Sequence, residues 1–503
     1  MKKMVIFVGL FFVSSYFLPC AMAAPTGELV IINTTDPISM DPQVEWMGDG
    51  MIMMRQMYDQ LIDFDENGKF RYRLALSYKL LDDKTWQLKL RPRVKFHNGD
   101  PFTAADAKFT IDRILDPKTK WPHRGRYDTF EQVNVVDDYT LEIKTKVPDP
   151  LVINKLAAIN CGARIVPKRY IEEKGVDYFR EHPVGTGPFK FVKWVPKGET
   201  VMEANGQWWG GPPKLKRLVF RSVPEMASRV SELEAGGAHI ITAVPAFMVS
   251  QLEKSKDIEV QSVTSVRNIF FYINTLTKGP LQDKRVRQAL NYAVDIEATI
   301  KGILKGRAIQ TPVNVPPIVF GYDGTIKPYP YDPEKAKTLL KEAGYEKGFK
   351  LTVNSPSGRY PNDKEVAEAV SEMLRKVGID ANLLIQESGT YFKKVPQHEL
   401  EGIALVGLGY LNWDVDSMLN FLNPKHPYCH YHNPEMVKLV KETYEAMDLE
   451  KRKTLASKLQ KMSHEEAVHL FLYNQMDSYG VSKKVKGFKA RADDVMDLYD
   501  VSL

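Results

Sequence analysis

Strand-like runs followed by amphipathic helical stretches recur along almost the whole of this chain, and that alternation points to an α/β architecture. The runs Thr85–Leu90 (TWQLKL) and Thr140–Thr145 (TLEIKT) alternate apolar and polar residues as half-buried strands do. Residues 218–222, 268–274 (NIFFYIN), 350–354 (KLTVN), 380–386 and 403–408 read as further strands. Helices are predicted from the capping residue Thr103 onward and over 227–235, 283–294 and 365–377. Asp332-Pro333 gives another helix a cap and a first-turn proline. Hairpin-like runs over 78–96 predict an additional, more antiparallel subdomain. At 503 residues the chain is too long for one core, so two or three packed units are expected. Turn signals such as Asn98-Gly99-Asp100-Pro101 and Gly210-Gly211-Pro212-Pro213 are spread evenly, without repeats or a long linker, so these units should form one continuous body.

The first 24 residues carry an export address. Lys2 and Lys3 precede an apolar run over 5–18, and Ala21-Met22-Ala23 is a small-x-small cleavage pattern. The run falls short of the about 20 residues that span a bilayer. Cys20 follows Pro19, where lipid-attachment motifs carry Gly, Ala or Ser. A soluble mature chain starting near Ala24 in the periplasm is therefore expected, rather than a lipoprotein or an uncleaved anchor. No later run approaches membrane length; the most apolar, 403–411, suits a buried strand. Cys161 and Cys429 remain after cleavage. They could pair in an oxidising compartment, but they are far apart in sequence, and two buried free thiols are expected.

Net charge is +6 and falls by two when Lys2 and Lys3 leave. Acidic and basic residues are interspersed without a polybasic block, so nucleic-acid binding is not expected. Motifs of catalysis are missing too. There is no Gly-x-Ser-x-Gly elbow and no phosphate-binding loop ending in Lys-Ser/Thr. His464-Glu465-Glu466-Ala467-Val468-His469 has one residue too many for a zinc-binding HExxH helix. The expectation is a non-enzymatic protein without cofactors, with a secreted hydrolase as the rival reading.

Several segments occur in a characteristic order: Ser39-Met40-Asp41-Pro42; LKLRPRVKFHNGDPFTAADAKFTIDRILDP over 88–117; Val184-Gly185-Thr186-Gly187-Pro188-Phe189; Phe271-Tyr272-Ile273-Asn274; Arg285 to Ala293 (RVRQALNYA); and Tyr331-Asp332-Pro333 running on to Ala343-Gly344-Tyr345. Together they resemble the family-5 extracellular solute-binding proteins, which serve ATP-driven importers of peptides, nickel, glutathione and related solutes. Most of these motifs read as scaffold; Gly185 and Gly187, for example, allow a tight turn before a strand. The resemblance implies a two-lobed periplasmic-binding-protein fold (type II, cluster C) with a hinged cleft and an extra inserted subdomain. It divides the chain into a signal peptide (1–23), lobe I in three parts (24–57, 184–263 and 475–503), the subdomain inserted in it (58–183), and lobe II (264–474). It also implies a small, peptide-class solute and the permease subunits of an ABC importer as partners, with the binding protein a monomer. Oligosaccharide, opine, glutathione or nickel-complex cargo stays open.

In peptide-binding relatives an Asp of a Gly-Trp-x-x-Asp stretch pairs with the ligand ammonium. The matching stretch here, 407–416, places Leu411 at that position, and Asp414 and Asp416 become the candidate acids, with loop closing or helix capping as the other reading. Ser357-Gly358-Arg359-Tyr360-Pro361 resembles the segment bearing a carboxylate-binding Arg, and Arg offers planar bidentate recognition. Trp46, Tyr410 and Trp413 are candidate aromatic contacts or core residues. Met47, Met51, Met53, Met54 and Met57 form either an adaptable pocket wall or core. His426, Cys429, His430 and His432 lie within seven residues and offer nickel, copper or zinc ligands, or simply a polar loop after Asn423-Pro424.

Overall fold

The predicted strands pair into a mixed sheet in the computed structural model, which describes residues 24–45, 48–121, 123–160 and 162–503. The leader, Trp46, Met47 and Cys161 lie outside the described residues. The largest sheet has 11 strands. In one half, Glu28–Asn33 runs parallel to Arg217–Ser222 and Ile240–Ile241, and Glu199–Ala204 and Phe189–Trp194 extend the sheet antiparallel. In the other, Lys350–Ser357 lies between Asp380–Glu387 and Ile403–Gly409, parallel to both. Two long strands, Ile258–Ile273 and His469–Ser482, run antiparallel to each other and join the halves.

Each half has its own apolar layer. Leu29, Ile31, Leu218 and Phe220 pack with Met53, Met54 and Met57 in the first. Met51, Met53, Met54 and Met57 are at most 3% exposed, which places them in the core and not on a pocket wall. In the second, Phe271, Ile273, Val353 and Leu405 pack against Val286, Leu290, Val366 and Val370. The helix Lys284–Ala293 buries Val286, Ala289, Leu290 and Ala293, the spacing of one helical face. A separate four-stranded antiparallel sheet, ordered Ala75–Asp82, Thr85–Leu90, Thr140–Thr145, Phe130–Asp137, packs with the helix Ala104–Leu115. Thr103 and Asp106 cap that helix reciprocally. Gly185 and Gly187 serve close approach and not a special turn: an added Cβ would lie 2.1 Å from the Met57 carbonyl oxygen and 2.6 Å from that of Gln56.

The ladder between the two long strands is interrupted. Val263 faces Asp477 and Thr264 faces Met476, but the next partners are Asn268 and Asn474. Ser265, Val266 and Arg267 therefore stand opposite Gln475 alone, and such a bulge bends a strand and re-aims its side chains. Asn474 fastens the bulge: its Nδ2 donates to the carbonyls of Ser265 and Arg267 at 2.7 and 2.8 Å. The Val266 N–H donates to the Ala492 carbonyl and the Tyr410 N–H to the Val266 carbonyl, both at 2.8 Å. Beyond the last strand the chain returns through a ladder of charge. Arg55 and Arg71 each join Asp63 to Asp497, and Arg491 joins Asp497 to Asp493.

Candidate functional site

Charged side chains collect where the ladder slips. Arg267 leaves the bulge and meets Asp494 of the C-terminal segment, Nη2 to Oδ2 3.6 Å. The Tyr479 hydroxyl donates to Asp494 Oδ1 at 3.3 Å. Solvent reaches 37% of the Asp494 side chain, so it is half-buried. Burial, and then the Asp477 carboxylate, push it up to about 8 against the pull of Arg267. Burial opposes the charge of Arg267, but Asp494, Tyr360 and Asp477 together outweigh it, so that guanidinium is raised. Gln475, on the opposite strand of the bulge, donates through Nε2 to Asp477 Oδ1.

Arg359 reaches this cluster from the second half. Asp363, at the start of the helix Asp363–Lys376, accepts from the N–H groups of Gly358, Arg359 and Tyr360 at 3.1, 2.8 and 3.1 Å. That grip fixes the turn and leaves the Arg359 side chain exposed, 5.2 Å over the Tyr360 ring. Desolvation by the surrounding walls, then the like charge of Arg267, lower its pKa, while Asp494 and Asp49 act to raise it. Tyr360 is held by the Gly407 N–H, which donates to its hydroxyl at 2.7 Å. Gly407 has to be glycine, because a Cβ there would lie 2.6 Å from the tyrosine ring. Beside the cluster, Ala246, Arg307, Pro361 and Gln475 line part of a cavity of about 10 Å³ between the halves.

The candidates of the 407–416 stretch lie elsewhere. Tyr410 is fully buried and its hydroxyl donates to the Asn314 carbonyl at 2.6 Å. Asp414 forms a buried bidentate pair with Arg452, 2.5 and 2.6 Å. Burial opposes the Arg452 charge, and Asp414 overcomes it and raises the group. Asp416 is buried, accepts from Asn412, and is raised by burial and by Asp414. Trp413, 5% exposed, packs against Phe64 and donates through Nε1 to Asp493 at 3.2 Å. Tyr410, Trp413 and Asp414 thus spend their polar atoms on protein partners, and this loop packs against the segment around Asn154 and Ile159. The Ile159 N–H to Leu411 carbonyl bond, 3.2 Å, and the Asn154 Nδ2 to Asn412 carbonyl bond, 3.1 Å, complete that seam.

Among the described residues no group of three or more His, Cys, Asp or Glu is placed to hold a metal. Cys429 Sγ donates to the Tyr431 carbonyl, and burial raises its thiol. His430 stacks on Tyr272 with ring centres 3.8 Å apart, and His432 is exposed. Burial lowers His426 and His430 to about 4. Arg267, Gln475, Asp477 and Asp494 are missed by sequence reading. The one available signal is a charge inside a run that otherwise reads as strand: Arg267 beside 268–274 and Asp477 within His469–Ser482.

Two α/β halves joined by crossing strands, with charged groups collected at the crossing, are the build of a two-domain periplasmic binding protein. The periplasmic binding protein DppA of Helicobacter pylori, solved in complex with the peptide STSA, superposes with a TM-score of 0.83 at 28% identity, covering 95% of this chain and 98% of that one. CtaP of Listeria monocytogenes shares the fold, with a TM-score of 0.86 at 24% identity over 95% of this chain and 100% of that one. The chain belongs to the bacterial extracellular solute-binding proteins, family 5: the model of the family's middle region matches residues 69–427. It is 30% identical over 482 residues, 92% of each chain, to the glutathione-binding protein GsiB of Pectobacterium atrosepticum, and 32% identical over 387 residues to that of Escherichia coli K12, covering 76% of this chain and 73% of that one. It is accordingly the substrate-binding component of an ABC importer. Among the described residues no helix is long and apolar enough to cross a membrane.

Proposed function

We propose that this chain captures a small zwitterionic solute of the peptide class, a glutathione-sized peptide, between its two lobes and presents it to the permease of its importer. The observation that carries this reading is the charge arrangement at the strand crossing. Arg267 and Arg359 stand close to Asp477 and Asp494, on segments drawn from both halves. A free peptide brings one ammonium and at least one carboxylate, and a guanidinium matches a carboxylate in plane and charge. The glutathione-binding relatives and the peptide-bound neighbour support this solute class.

The same proposal takes 24–57, 184–263 and 475–503 as lobe I with 58–183 inserted, and 264–474 as lobe II. The crossings at 263/264 and 474/475 then fall within the two long strands, beside the bulge. A ligand touching both lobes favours the closed arrangement by its differential contacts. A cavity of about 10 Å³ has room for about one water, whereas enclosing a small molecule takes roughly 300–1,000 Å³. Parting of the lobes would open this space to a solute. The leader directs the chain to the periplasm and is removed near Ala24, and the mature protein acts as a monomer that leaves its solute chemically unchanged.

The test is thermal unfolding of the mature chain, freed of co-purified solute by unfolding and refolding, against free peptides, glutathione, oligosaccharides, opines and nickel with histidine. A peptide at 100 times its Kd adds about 2.7 kcal/mol of stability and is recovered intact. A shift with oligosaccharides alone, or hydrolysis of the bound peptide, overturns the reading.

A further inference from the structure

The geometry points to a second assignment, which rests on the peptide reading above: we propose that Gln475, Asp477 and Asp494 form the subsite for the solute's ammonium group, in place of the 407–416 loop. In that loop Leu411 carries no charge, Asp414 is committed to Arg452, and Asp416 is buried and accepts from Asn412. The strand crossing offers the opposite situation, an excess of acceptors. Gln475 is 7% exposed, and its Nε2 donates to Asp477 Oδ1, which fixes the orientation of the amide. A flipped amide would set oxygen against oxygen. Its Oε1 is then a buried acceptor without a donor, and Asp477 Oδ2 is enclosed with the raised Asp494 carboxyl as its neighbour. Asp494 stands against Asp477, with only the Tyr479 hydroxyl at 3.3 Å and Arg267 at 3.6 Å to compensate it.

Buried acceptors left without donors cost free energy, and each calls for a partner. An ammonium has three N–H donors and no acceptor, which matches a set of one amide oxygen and two carboxylates. Two adjacent carboxylates also resist ionising together until a cation joins them. The guanidinium of Arg267 lies 3.6 Å from Asp494 Oδ2, with Arg359 near it. The site therefore receives an ammonium and a carboxylate held close together, as at the α-carbon of a γ-glutamyl head group.

The test compares reduced glutathione with its N-acetyl derivative by calorimetry on the refolded mature chain, in wild type and in the variants D494N, D477N and R359Q. Asn suits the left-handed backbone at Asp494, φ 60°, so D494N retains the local conformation. Acetylation is expected to weaken binding to wild type at least tenfold. D494N and D477N should each weaken glutathione at least tenfold while leaving the acetylated ligand unchanged, and R359Q should weaken both ligands alike. Equal binding of the two ligands to wild type overturns the subsite without touching the peptide reading, and requires no variant to fold. Loss of both ligands alike in D494N and D477N also overturns it. Binding of neither ligand, nor of the peptide STSA, to wild type overturns the subsite and the peptide reading together.

Discussion

Asp494 sits beside Asp477 and Asp493, with Arg267 and the Tyr479 hydroxyl opposing them, and the imbalance is measurable without any ligand. Its carboxyl is raised from 3.8 to about 8, first by burial and then by Asp477. Between those values the folded chain holds a proton that the unfolded chain has lost. The contribution to stability is fully present below about pH 4 and declines as pH rises towards 8. Thermal unfolding from pH 5 to 8.5 should show wild type losing stability relative to D494N as pH rises; parallel curves contradict the assignment. At this scale the sequence is only partly readable. Arg359 is singled out by the resemblance of its segment, 357–361, and Asp363 holds that turn by local hydrogen bonds. Tyr410, Trp413 and Asp414 have the right chemistry for ligand contact, but Asn314, Asp493 and Arg452 claim their polar atoms. These partners are 96, 80 and 38 residues distant, and no local pattern announces them.

The bulge between the long strands does for the site what a loop does in many proteins, but with the rigidity of a sheet. It depends on Asn474, whose amide serves two carbonyls that the ladder leaves open. N474A strips both of their donor, and a loss of about 1–3 kcal/mol in urea unfolding is expected. Solute affinity should fall with it, since Arg267 and Gln475 lose their setting; unchanged stability in this variant contradicts the role given to Asn474. Most elements are legible because capping and alternation act locally. Thr140–Thr145 and the capped helix Ala104–Leu115 follow the pattern directly. The full length of Ile258–Ile273 is not legible, because its first part, IEVQSVTSVR, breaks the alternation after Val260, and residues 258–264 of it are paired with partners about 220 residues on.

At the scale of the whole molecule, the α/β class and the separate antiparallel sheet follow from the order of periodic segments, whereas the meeting of the halves depends on long-range pairing. If the lobes turn about the interrupted ladder, glutathione at saturation should reduce the radius of gyration of the refolded chain in small-angle scattering; an identical profile with and without solute contradicts hinged capture. Gly68 faces Trp413 so closely that an added Cβ would lie 2.3 Å from the indole. If the lobes do turn there, the bulge also sets the mechanical advantage of this protein. Contacts made beside an axle travel little while the distant rims sweep a wide arc, so a displacement of an ångström at Gln475 is magnified at the outer surfaces. A permease that measures the distance between those surfaces reads, at long range, whether two carboxylates have found their cation.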